Sequence, residues 1–383
     1  MAGGAWRTGA NILIVPNVRA VGRSRTDACP GTLQTHDAAD GPLARVRTPG
    51  GAVSAAQLMV LGAAARELGR DVIELTSRAN LQLRGVRDPA ALAARLAVAG
   101  LLPSASHERV RNIVASPLGG RGRNGRLATD PLVTALDRRL CAHPRLAGLP
   151  GRFLFALDDG TGDVAPLNAD LTLTPGGLLL AGTPLALASA DPLLTMTAAA
   201  EAFLDVRGGA WRLAEVPDGA SLVAERLGGV LADGRPVPDP PAPHAGIVQQ
   251  RDGLAALEVV PPLGRLSGAQ AEALAEVADE VRLTPWRSVV LRDLRRDGAE
   301  GATARLAQQG FAADPGSPWV GVTACTGSPG CAKSRGDVQG EARRWVDGLD
   351  HASPTPVHWA GCDRRCGMPR GPVTLKTVGG QER

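Results

Sequence analysis

Four of the six cysteines fall in two tight pairs near the C-terminus. Cys325 and Cys331 enclose five residues, Thr326-Gly327-Ser328-Pro329-Gly330, and Cys362 and Cys366 enclose three, Asp363-Arg364-Arg365. Glycine and proline in the first spacer favour an open loop that can wrap a bulky object, and Gly361 and Gly367 flank the second pair. A cubane iron–sulfur cluster needs four thiolates spread around its corners, and loops of this kind supply them. The rival is structural zinc, which takes paired cysteines two to four residues apart; the second spacing fits it and the first does not. Two disulfides are the third reading, and a reducing compartment disfavours them. Cys29 and Cys141 stand apart and read as plain thiols.

A second chemical feature is basic. In Arg78-Ala79-Asn80-Leu81-Gln82-Leu83-Arg84 polar and apolar residues alternate with period two. On a strand this puts Arg78, Asn80, Gln82 and Arg84 on one face and Ala79, Leu81 and Leu83 on the other. A row of hydrogen-bond donors with two guanidinium groups suits carboxylates; a solvated sheet face is the plain alternative. Arg109, Arg111, Arg121, Arg123 and Arg126 follow, and Arg152 opens the run Phe153–Leu157. This set could hold several carboxylates, or part of it is a compositional bias toward arginine and solvated loop. Gly120-x-Gly122-x-x-Gly125 matches a dinucleotide fingerprint in letters alone: Ser116–Gly119 separates it from the preceding strand, and the next helix starts only near Asp130. The six histidines have no metal-ligand spacing among themselves, although His351 and His358 sit near the second cysteine pair.

The elements that must position these groups repeat. Leu43–Val46 reads as a strand, Ser54 as the N-cap of a helix over Ala55–Leu68, and residues 72–86 as two strand-like runs. A second helix spans Asp88–Val98, with a strand near Ile113. From His244 onward the order recurs: strand Leu257–Val260, cap Ser267, helix Ala269–Val281, then Leu283-Thr284-Pro285-Trp286-Arg287 before the apolar run Ser288–Leu291. This implies duplicated half-domains related by a pseudo-twofold axis. The proline-rich stretch Pro236–Pro243 is a semi-rigid boundary between them. The 383 residues suit two to four packed modules, and 44% hydrophobic residues permit a large core. A net charge of +4 lacks the dense basic stripe of a nucleic-acid binder. No run reaches the ~18 apolar residues of a membrane span. The patch Ile12–Val15, between Arg7 and Arg19, is too short for a secretory signal. The expectation is a soluble cytoplasmic protein.

Thr76-Ser77-Arg78 with Asn80, Arg111-Asn112, Thr323-Ala324-Cys325 through Cys331, and Gly361-Cys362 through Cys366 resemble the nitrite/sulfite reductase superfamily. The likeness runs from about Leu43 to the C-terminus. It implies an α+β fold: duplicated ferredoxin-like half-domains plus two mixed α/β modules in pseudo-twofold arrangement around a central site. The boundaries expected are 16–90 for the first half-domain, 91–235 for the first α/β module, 236–305 for the linker and second half-domain, and 306–383 for the second module with the Fe–S ligands. The resemblance further implies a [4Fe–4S] cluster on Cys325, Cys331, Cys362 and Cys366. It matches Arg78, Arg111 and Arg152 to the superfamily's anion-binding positions; Asn80, Gln82 and Arg84 are added from strand geometry.

Within the superfamily, the chain looks most like the precorrin-3B synthase branch of aerobic cobalamin biosynthesis. Its length, the run Cys29-Pro30-Gly31 followed by Asp40-Gly41, and Arg45-x-Arg47-x-Pro49-Gly50-Gly51 are similar to that branch. Sirohaem reductases usually carry a basic-Phe-basic triplet where this chain reads Arg152-Phe153-Leu154. The branch implies precorrin-3A as tetrapyrrole substrate, dioxygen as oxidant, hydroxylation with lactone closure, an external electron-donor protein, and room for an additional non-haem iron. Nucleic acid and membrane are not expected partners. Two alternatives stay open: a sirohaem-dependent sulfite or nitrite reductase, in which Cys366 would also bridge to the haem iron, and a non-catalytic tetrapyrrole-binding or redox-sensing protein.

Overall fold

Two serine caps start two matching helices. Ser54 Oγ accepts from Gln57 N while Gln57 Oε1 accepts from Ser54 N, and Ser267 and Gln270 repeat the same reciprocal pair. Each box satisfies two backbone donors that a helix start leaves orphaned. Around these caps the computed structural model describes residues 27, 29–234 and 242–378. The Ile12–Val15 patch with Arg7 and Arg19, and Pro236, Pro238, Pro240 and Pro241 of the linker, lie outside the described residues.

The first half-domain comprises β1 (His36–Ala38), β2 (Gly41–Val46), β3 (Ala52–Ser54), α1 (Ala55–Leu68), β4 (Ile73–Leu75), β5 (Leu81–Leu83) and α2 (Pro89–Val98). The first α/β module follows with β6 (Ile113–Ala115), α3 (Thr129–Ala142), β7 (Phe155–Leu157), β8 (Leu171–Thr174), β9 (Gly177–Leu180), β10 (Thr183–Ala186), α4 (Pro192–Val206), α5 (Gly219–Arg226) and β11 (Val230–Leu231). The second half-domain holds β12 (Gly246–Gln249), β13 (Ala255–Val259), β14 (Arg265–Leu266), α6 (Gly268–Ala275), β15 (Glu280–Leu283), β16 (Val289–Leu294) and α7 (Arg296–Gln308). The second module closes with β17 (Val322–Ala324), α8 (Val338–Asp347), β18 (Val357–Ala360) and β19 (Thr374–Thr377).

The half-domains are interleaved. Their sheets run β1-β2-β5-β4-β14 and β12-β13-β16-β15-β3, so each copy lends one short strand to the other's sheet. A single core, including Leu58, Leu61, Ile73, Leu81, Leu257, Leu274 and Leu291, runs through both. At roughly 25 cal/mol per Å² of buried apolar area, a shared core ties the copies together far more strongly than surface contacts would. The exchange also corrects one sequence expectation. The helix read as Ala269–Val281 ends at Ala275, because Glu280–Leu283 pairs antiparallel with β3 and Ala55 N donates to Asp279 O at 2.8 Å.

The tight turns before β5 and β16 superimpose bond for bond. Thr76 N donates to Asn80 O and Thr284 N to Ser288 O; Ala79 N donates to Thr76 O and Arg287 N to Thr284 O. Ala79 and Arg287 both take positive φ, 53° and 67°. The repeat therefore aligns Arg287 with Ala79 and Trp286 with Arg78, so the threonine–arginine spacing shared by the two stretches is not a structural equivalence. The left-handed residue also breaks the alternation expected over 78–84: the strand is Leu81–Leu83, and Arg78 lies in the turn before it.

The α/β modules repeat too. Parallel β6–β7 and β17–β18 have matching registers. Ser116 N donates to Leu157 O at 3.0 Å, as Cys325 N does to Trp359 O at 2.9 Å. No helix among the described residues is long and apolar enough to cross a membrane.

Candidate functional site

Cys325 leaves the end of β17, and Cys362 lies just beyond the end of β18. Because these strands are parallel neighbours, the two cysteine loops emerge side by side. Gly361 N donates to Cys325 Sγ at 3.3 Å, and Gln339 Nε2 on α8 donates to Cys325 O at 2.6 Å. Ser334 N bonds to Cys331 O at 3.0 Å and Arg365 N to Cys362 O at 3.1 Å, which rounds both loops. A Cβ on Gly327 would press on Val338, and one on Gly361 would collide with Ser334, so the loops pack only with glycine there. Cys325, Cys331 and Cys362 are half-buried and Cys366 is exposed.

The other three thiols act on Cys366. The Cys366 thiol is pushed up by burial first, then by Cys362, Cys325 and Cys331. Their spacing bears on which metal fits. Among the described residues, the group of three or more ligand atoms all within 4.8 Å of one another is Asp158, Asp159 and Asp163, not any three of these sulfurs. Tetrahedral zinc at ~2.3 Å per bond would draw sulfurs to about 3.8 Å. Wider thiols suit the corners of a cube, and the Gly361 amide already donates to one of them, Cys325 Sγ.

The first α/β module supplies a control built into the same chain. Ser116 occupies the place of Cys325, and Asp159 N donates to Ser116 Oγ at 3.0 Å as Gly361 N does to Cys325 Sγ. The loop after β7 carries Asp158, Asp159 and Asp163 where the loop after β18 carries cysteines. Asp163, bonded to Ser116 Oγ at 2.5 Å, is raised to about 7 by burial and by Asp158 and Asp159. Gly120–Gly125 is a loop of this acidic module, with Gly125 packed against the Asp159 carboxylate.

Beside the cysteine loops lies a concentration of guanidinium groups. Arg45 Nη1 and Arg47 Nη2 approach Cys29 Sγ at 3.3 and 3.4 Å, and Cys29 Sγ donates to Gly151 O at 3.2 Å. Gly151 O also accepts from Arg78 Nη1 at 3.4 Å and from Asn112 Nδ2 at 2.9 Å. Arg47 is 3% exposed, and its Nη1 has no partner. Burial lowers Arg47 to about 9, partly offset by Cys29 and reinforced by Arg45 and Arg78. Burial and then Arg212 lower Arg78 to about 10. Arg212 pairs with Asp170 at 2.7 Å, and exposed Arg152 stacks 4.8 Å over the Trp211 ring. Arg370, just past the second cysteine loop, is also lowered by burial and by Arg212. Burial is the first cause of each of these shifts, and an anion placed beside Arg47 and Arg78 would offset it.

The other candidates from the sequence are engaged elsewhere. Asn80, 1% exposed, accepts from Thr48 N and donates to Asn112 Oδ1. Gln82 bridges Arg45 and Glu74. Arg84 forms a two-pronged pair with Asp40, both bonds 2.9 Å, and donates to Gly330 O at 2.7 Å. Arg111 is locked to Asp137 by two bonds of 2.7 Å and lines a cavity of about 380 Å³ with Asp130, Arg138 and Arg282, which Arg47 also lines. Arg78 and Arg152 thus remain for a ligand, joined by Arg45, Arg47, Arg212 and Arg370. Arg212 and Arg370 carry no motif, and distant loops bring them in. His358 is fully buried, with Nδ1 2.9 Å from Thr323 Oγ1 and Nε2 unpartnered; burial and then Arg287 hold it down at about 3, so it stays neutral. Cys29 is enclosed by arginines; Cys141 is raised by burial and by Asp137.

The fold is similar to that of the nitrite/sulfite reductase class. The family model described as "Nitrite/Sulfite reductase ferredoxin-like half domain" matches residues 36–97 and 248–309. The NirA protein of Mycobacterium tuberculosis has the same fold, with a TM-score of 0.69 over 85% of this chain and 69% of that one at 24% identity. The chain has a nitrite/sulfite reductase-like fold with the half-domain repeated. Three kinds of relative match at equal identity. A ferredoxin sulfite reductase of Mycolicibacterium paratuberculosis is 28% identical over 84% of this chain and 67% of its own. A precorrin-3B synthase of a Sinorhizobium species is 28% identical over 94% of this chain and 82% of its own. A ferredoxin–nitrite reductase of Synechococcus elongatus is 28% identical over 86% and 74%.

Proposed function

We propose that this chain is an oxidoreductase that converts precorrin-3A to precorrin-3B with dioxygen. One oxygen atom enters at the macrocycle edge as a hydroxyl, a neighbouring acetate closes onto the ring as a lactone, and the other oxygen atom leaves as water. The two electrons and two protons this requires come from an external donor protein and solvent. Cys325, Cys331, Cys362 and Cys366 would hold a [4Fe–4S] cluster, which when bound passes single electrons toward the substrate.

The observation that carries the reading is the anion-poor guanidinium cluster beside the thiol site. A polycarboxylate macrocycle supplies the counter-charges that Arg45, Arg47, Arg78, Arg152 and Arg370 lack among the described residues, while Arg212 keeps its pair with Asp170. Each carboxylate would replace water at a donor already held in place, so little side-chain freedom is lost on binding. Arg47 and Arg78 come from the first half-domain, Arg152 and Arg212 from the first module, and Arg370 from the segment after Cys366. The broad coverage of the precorrin-3B synthase relative supports this choice.

Sirohaem-dependent reduction of sulfite or nitrite is the second reading, favoured by the reductase relatives. The triplet that would carry two cations offers one: Arg152 is exposed, while Phe153 and Leu154 are 0% and 3% exposed in the core. A spectrum of anaerobically purified protein, with iron and sulfide counts, separates the readings. A strong Soret-type band supports sirohaem. A broad band alone, with turnover of precorrin-3A under dioxygen and reductant, supports the synthase. Tight binding without turnover leaves a tetrapyrrole-binding protein and refutes catalysis.

A further inference from the structure

Two buried arginines, one from each half-domain, reach across to the two cysteine loops. Arg84, at the end of β5, donates to Gly330 O at 2.7 Å, the carbonyl next to Cys331. Arg287, in the turn before β16, donates to Gly367 O at 2.7 Å, the carbonyl next to Cys366. Both arginines are deeply buried, 7% and 8% exposed. Each meets a glycine: a Cβ at Gly330 would crowd Arg84 Nη2, and a Cβ at Gly367 would strike the Arg287 guanidinium.

Their charges are balanced differently. Arg84 is paired with Asp40 at 2.9 Å and has Glu74 at 3.7 Å. Arg287 has no ion pair of its own among the described residues, and the acid that acts on it, Glu74, already pairs with Arg265 at 2.5 Å. A buried cation without a counter-charge is costly. A thiolate-bound cluster is anionic, and reduction adds a further negative charge.

We propose that Arg287 is a positioning residue that sets the cluster's reduction potential, holding the Cys366 loop and favouring the reduced state through its uncompensated charge, while Asp40 silences the equivalent charge of Arg84. This rests on the four-cysteine ligand assignment. For an assumed separation of about 10 Å and an effective dielectric constant of about 20, Coulomb's law makes the bias about 15-fold in the reduced-to-oxidised ratio. For a one-electron couple that is about 70 mV.

The test is an anaerobic redox titration of the purified holoprotein, followed by the electron paramagnetic resonance signal of the reduced cluster, with iron and sulfide counts on every sample. Arg287→Gln is expected to lower the midpoint by about that amount, and Arg287→Lys to keep it near wild type. Asp40→Asn exposes the Arg84 charge and is expected to raise the midpoint. A full cluster with an unchanged midpoint in Arg287→Gln overturns the proposal, as do equal shifts in the Gln and Lys variants. If Arg287→Gln loses its cluster, Asp40→Asn decides: a raised midpoint supports the proposal and an unchanged one overturns it. Wild-type protein without iron would instead sink the ligand assignment, which is a distinguishable failure.

Discussion

Arg78→Ala tests the substrate pocket with two readouts of different sign. In the free protein the Arg78 guanidinium gains little: its bond to Gly151 O is long at 3.4 Å, and burial together with Arg212 lowers it to about 10. A depressed base is a cation that folding disfavours, so its removal relieves a cost that is present at every pH below about 10. The variant should therefore unfold at or slightly above the wild-type temperature and retain all its iron. Binding should change the other way. A carboxylate that lands on Arg78 gains a charge-assisted hydrogen bond worth about 1.5–3 kcal/mol, so its loss raises Kd by roughly 10- to 150-fold. The assay is an anaerobic titration of precorrin-3A followed by the change in the macrocycle's absorption, beside thermal unfolding and iron analysis. Arg78→Lys should recover part of the affinity, because it restores the charge without the planar fork. A Kd within threefold of wild type, with iron intact, would refute the claim that this guanidinium cluster receives the substrate.

Cys331→Ser should lose iron and sulfide together; a full cluster in that variant would refute the ligand assignment. Arg84→Ala breaks a buried pair and leaves Asp40 unpaired, which should cost about 3–5 kcal/mol in denaturant unfolding and loosen the Cys331 loop. Asp163 gives a pH prediction. Its folded value of about 7 lies above the 3.8 of a free carboxyl, so the folded state holds the proton longer and stability falls as pH rises from about 4 to about 7. Asp163→Asn should remove that slope and raise stability at pH 8 by up to about 4 kcal/mol, with Ser116 still bonded. Unfolding curves that coincide at pH 5 and pH 8 in the wild type would contradict it.

Local grammar in the chain is strong. The capping serines, the glycine stops and the apolar runs placed α1 and α2 to within a residue, because helix ends and burial patterns follow from neighbours in sequence. The cysteine spacings pointed to a cluster for the same reason: a loop's reach depends on its own few residues. What a side chain does once buried is different. Arg84 and Arg111 are as basic as Arg78 in sequence, yet Asp40 and Asp137, distant in the chain, neutralise them. Arg212 and Arg370 have no motif, the threonine–arginine spacing of Arg287 gives no hint of its partner, and all three acquire roles only through residues distant in the chain. Whether α6 continued or yielded to β15 was decided by the open edge of β3 in the other copy. Electrostatic partnership and strand exchange depend on separations in space, and those are properties of the packed molecule rather than of the string of residues.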